Sequence, residues 1–120
     1  MDTSITYHVQ IVFAPENKSP LKRLAVLPPL LYLHQGDSVV FSTKRTKAVF
    51  YIPNGTILFK MEPDSEEIID DGLIINVEAG QSSPSYIVKE KEGEFPYAVY
   101  CSAGNDFAEG YSSPKMIVED

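Results

Sequence analysis

The chain opens with strict alternation: Ile5, Tyr7, Val9, Ile11 and Phe13 are apolar, and Thr6, His8 and Gln10 between them are polar. Successive side chains on a strand point to opposite faces, so this period of two predicts a strand with one buried face and His8 on the polar side. The run stops at Ala14-Pro15-Glu16-Asn17. A second apolar stretch, residues 24–33, contains Pro28 and Pro29. Proline has no amide proton for a ladder, so this stretch reads as a kinked or edge strand. It ends at Gln35-Gly36-Asp37.

Residues 38–43 and 48–52 predict two strands joined by the polar, basic Lys44-Arg45-Thr46-Lys47. Pro53-Asn54-Gly55 then turns the chain. Further strands are expected at residues 73–77, 86–89, 95–101 and 115–118, separated by turns at Ala79-Gly80 and near Gly93 and by a loop through Gly110. About eight short strands punctuated this way predict an all-β, two-sheet, mainly antiparallel sandwich. Tyr7, Val9, Ile11, Val39, Phe41, Tyr97 and Val99 fall on its inward positions. Residues 56–72 break the pattern and read as a surface excursion, with one helical turn after Pro63 where Asp64 or Ser65 would cap.

The 120 residues suit one domain, 1–120, with no internal repeat and no low-complexity linker. A hydrophobic content of 43% with 7 Tyr and 6 Phe supports a folded, strand-rich chain. Net charge changes the picture of partners: at −7 it opposes a phosphate backbone, whose affinity comes from Lys and Arg displacing counterions. The densest basic run, Lys44, Arg45 and Lys47, is small, so nucleic acid is not expected, and an acidic chain is better met by a basic protein surface, a cation or no particular partner. The longest apolar run is broken by its prolines and falls short of a membrane span, so no membrane insertion is expected. The first residues carry no secretory pattern, which leaves two readings open: retention in the cytoplasm, or a signal removed from in front of Met1. A lone cysteine, Cys101, makes no internal disulfide and reads first as a small buried hydrophobe.

Three segments carry a family resemblance. Leu33-His34-Gln35-Gly36-Asp37-Ser38-Val39-Val40-Phe41 resembles the cupredoxin segment that turns through Gly-Asp into the strand leading to the first copper histidine. Phe95-Pro96-Tyr97-Ala98-Val99-Tyr100-Cys101-Ser102-Ala103-Gly104 resembles the last motif of that family, where an aromatic strand delivers the copper cysteine. Between them, Val77-Glu78-Ala79-Gly80-Gln81-Ser82 is similar to the family's Ala-Gly turn. Their order implies a cupredoxin-like Greek-key sandwich covering residues 24–118.

A blue-copper centre takes two imidazole nitrogens and a thiolate, with a weak axial thioether, a set that suits both oxidation states of copper. The resemblance puts the first histidine at about Lys47, the second at Gly104 or Asn105, and the axial methionine near Ala108 and Glu109. Only Cys101 remains of the ligand set, so Lys47, Cys101, Gly104 and Asn105 read as vestigial ligand positions and no cofactor is expected. The only histidines, His8 and His34, lie outside the ligand segments, and Met61 and Met116 read as packing residues. No phosphate loop, nucleophile elbow or paired-cysteine motif is present, so no enzyme activity is expected. Glu62, Asp64, Glu66, Glu67, Asp70 and Asp71 place six carboxylates in ten residues without the spacing of a calcium loop. They read as a solvated loop, or as a docking patch that raises association rate with a basic partner.

Three functions follow. The first is a non-catalytic binding or structural module whose ligand loops have lost copper. The second is an electron-transfer protein that holds copper through Cys101 with Asn105, Asp106, Glu109 or His34. The third is a redox-responsive thiol, which requires the Lys47 charge beside Cys101 to lower the thiol pKa.

Overall fold

The computed structural model describes residues 4–14, 23–44, 46–60, 67–69, 71–101, 106–107 and 114–119. Among them the elements run β1 Thr6–Ala14, β2 Arg23–Leu27, β3 Leu30–Leu33, β4 Ser38–Thr43, β5 Ala48–Ile52 and α1 Gly55–Leu58. They continue with β6 Glu67–Ile69, β7 Gly72–Val77, β8 Tyr86–Ile87, β9 Gly93–Pro96, β10 Ala98–Cys101, β11 Asp106–Phe107 and β12 Lys115–Val118.

Hydrogen bonding orders the strands β2-β1-β4-β8, β11-β10-β5-β7-β6 and β3-β12-β9. Tyr97 alone separates β9 from β10, so one bent strand joins the last two sets into a second layer facing the first. The pairings are antiparallel except β1 with β4 and β3 with β12, which join segments distant in sequence. The result is the two-sheet sandwich that the alternation predicts.

Four differences from the expected strands have physical causes. The 24–33 stretch is two edge strands, because the chain leaves β1 after the Gln10↔Leu27 pair and crosses a cis Leu27-Pro28 bond to join β12 in the other layer. Residues 95–101 likewise divide where the chain changes partner from β12 to β5. The excursion contains two unforeseen elements. One is β6, paired to β7 through Glu67↔Ile74, Ile68↔Leu73 and Ile69↔Gly72. The other is α1, which starts earlier than the helical turn expected after Pro63, a segment outside the described residues. No side-chain cap holds α1. Leu58 and Phe59 are fully buried, and Gly55 sits so close to Leu73 that an added Cβ would overlap the Leu73 Cβ.

The buried side chains form one cluster between the layers, including Val9, Ile11, Val39, Phe41, Tyr97 and Val99, with Tyr7 half-buried against it. Phe41 is its hub. Its ring centroid lies 4.9 Å from that of Phe50 and 6.0 to 6.4 Å from those of Tyr86, Phe59 and Tyr97, in tilted and edge-on arrangements that aromatic quadrupoles favour. The Tyr97 hydroxyl is buried with no hydrogen-bond partner among the described residues, and burial pushes its pKa above the usual tyrosine range.

Candidate functional site

The site is built from the ends of β10, β5 and β7. Antiparallel register sets Cys101 opposite Ala48, and Ala48 opposite Val77. All three are buried, and the next inward row is Val99, Phe50 and Ile75, also buried. The inward face of β5 is therefore Ala48, Phe50 and Ile52, while Val49 and Tyr51 turn outward. Lys47 precedes this face and lies at the surface, its ammonium 3.6 Å from Glu78 Oε1. The residue that shares the buried face with Cys101 is thus Ala48, one position beyond Lys47. A shift of one residue exchanges the two faces of a strand, so Lys47 falls just outside the buried row that Ala48 joins.

The loop leading into β5 is closed by its own threonines. Thr43 Oγ1 donates to the Thr46 carbonyl at 2.8 Å, and Thr46 Oγ1 donates to the Lys47 carbonyl at 3.1 Å. Both threonines are buried. The backbone of Thr43 is also held by the Ala79-Gly80 turn: its N–H donates to Gln81 O at 3.3 Å, and its carbonyl accepts from Gly80 N at 3.0 Å.

Cys101 is wholly shielded from solvent, and burial pushes its thiol pKa up. Activation by Lys47 requires a lowered thiol pKa, whereas burial here raises it, and the Lys47 ammonium lies at the surface beside Glu78.

The histidines lie elsewhere. His8 is on β1, with its side chain exposed on the outer face. His34 is exposed at the opposite end of β4 from Thr43, about 20 Å away at the ordinary strand rise per residue. Its neighbour Asp37 is 4% exposed and organises that end. Asp37 Oδ1 accepts from Ile5 N at 3.1 Å and Oδ2 from His34 N at 2.8 Å. Its backbone is clamped to Val88, which donates to Asp37 O at 2.8 Å and accepts from Gly36 N at 2.9 Å. Gly36 adopts φ +96°, a left-handed conformation that glycine supplies without steric cost. The sequence marks this turn by its Gly-Asp pair, but the burial of the carboxylate follows only from the approach of Ile5, far away in the chain.

Of the acidic segment, Glu67 lies in β6 rather than in a loop, and Asp71 is exposed, its carbonyl accepting from Thr56 N and Oγ1 at 3.3 and 3.0 Å. Glu62, Asp64, Glu66 and Asp70 lie outside the described residues, as do Gly104, Asn105, Glu109 and Met61. Asp106 lies in β11, directly opposite Cys101 in register. Met116 is fully buried in β12. Among the described residues, no three of His, Cys, Asp and Glu come together as a metal-binding group. No helix among them is long and apolar enough to cross a membrane.

Among the solved structures similar to this chain are amicyanins and an auracyanin. A reduced, Cu(I) form of an amicyanin variant superposes with a TM-score of 0.53 at 16% identity, over 99% of this chain and 85% of that one. An oxidized amicyanin variant gives 0.51 at 17% identity over the same shares. A dithionite-reduced auracyanin from the photosynthetic bacterium Roseiflexus castenholzii gives 0.48 at 13% identity, over 99% of this chain and 100% of that one. The two amicyanin superpositions make the fold cupredoxin-like. No family model matches the sequence, and no curated protein does.

Proposed function

We propose that this chain is a non-catalytic binding or structural module on a cupredoxin-like sandwich, without a blue-copper centre. The observation that carries this reading is the pairing of Cys101 with Ala48 on the buried face. Ala48, the partner of Cys101 in that row, has a methyl group with no lone pair to give a metal, and at Lys47, the position the resemblance gives the first histidine, the side chain is an ammonium beside Glu78. With Thr43 and Thr46 closing the loop behind it, this end of the sandwich is an extension of the hydrophobic core. Function then rests on the surface. The net charge of −7 makes a basic protein surface the favoured kind of partner, through faster association more than through tighter contact.

A copper-binding electron-transfer protein is the alternative. Its support is the likeness to the amicyanin variants, one of them in a Cu(I) form, and the register of Asp106 opposite Cys101. Elemental analysis of protein purified from a copper-supplemented host separates the two readings. The module is expected to carry well under one copper per chain, and one copper per chain would establish the alternative.

A further inference from the structure

We draw no further inference here: the strongest candidate, the outward apolar strip of Leu27, Leu30 and Tyr32 along the β2–β3 edge, is exposed by 40 to 49% but nothing in the structure shows what covers it, and the β3 edge is flanked at both ends, by the Gln10↔Leu27 pair and by the Asp37 carboxylate that ties Ile5 to His34.

Discussion

The two ends of the sandwich bury their polar groups in opposite ways. At the Asp37 end, a carboxyl group is taken out of water and given backbone donors from Ile5 and His34, so its burial ties β1 to the turn before β4. At the Cys101 end, a thiol is buried in a row with Ala48 and Val77, surroundings that keep it neutral. The cost of burying a polar group is offset where donors converge on it and avoided where the group carries no charge. The contrast assigns the ends different roles. The first is a polar clamp between β1 and the turn before β4, and the second, on the proposed reading, is packing.

The largest effect is expected at the clamp. Asp37→Ala removes the acceptor of two backbone N–H groups, and charge-assisted hydrogen bonds of this kind contribute roughly 1.5 to 3 kcal/mol each, so a loss of about 4 kcal/mol is expected in urea unfolding. A loss below about 1 kcal/mol would remove the clamp from the comparison.

The packing end is probed by putting an imidazole back. Ala48→His forces a large polar ring into a filled, apolar row and is expected to cost about 2 kcal/mol or more. Lys47→His changes a surface residue and should stay within about 0.5 kcal/mol. The reverse order would mean that Lys47, and not Ala48, faces Cys101.

A pH dependence should appear on the alkaline side. Tyr97 and Cys101 both have raised pKa values, so the folded chain holds their protons more tightly than the unfolded chain does. The stability they contribute is complete below their unfolded values, roughly 8.5 for the thiol and 10 for the phenol, and falls as pH rises beyond each. Urea midpoints should therefore decline from pH 9 to 11. Tyr97→Phe should flatten the upper part of that decline by about 1 kcal/mol per pH unit. At pH 7 it should leave stability unchanged or raise it by about 1 kcal/mol, because a buried hydroxyl without a partner among the described residues is lost. An equally steep decline in the variant would assign the alkaline loss to other groups.

The smallest perturbation is a thiol reagent applied to the native protein. Cys101 should react orders of magnitude more slowly than it does in denaturant, at a rate set by opening of the fold. Equal rates in the two conditions would place the sulfur in water.

Much of this comparison was legible in the sequence, and the limits are instructive. The alternation of β1 and β4 shows which residues face the core, because a sheet with one wet face writes its period directly into the chain. In β5 the run Ala48-Val49-Phe50-Tyr51-Ile52 is apolar on both faces, so composition hides the parity and only pairing with Cys101 reveals it. The bent strand around Tyr97 reads as one element, since a change of partner strand leaves no mark on the side chains. Segment α1 was hidden for a similar reason: Leu58 and Phe59 are drawn into the core without a capping side chain to announce a helix. The Gly-Asp turn was visible as a turn, whereas the contact between Asp37 and Ile5 spans 32 positions and belongs to tertiary structure alone.

The most direct test of the central claim is a Cu(II) titration of the thiol-reduced protein, followed by visible absorption, with Cys101→Ser as the control. The account predicts no intense thiolate-to-copper band, because Ala48 offers copper no donor and Lys47 carries an ammonium in place of an imidazole. A strong blue or green colour that saturates at one copper per chain and vanishes in Cys101→Ser would contradict it.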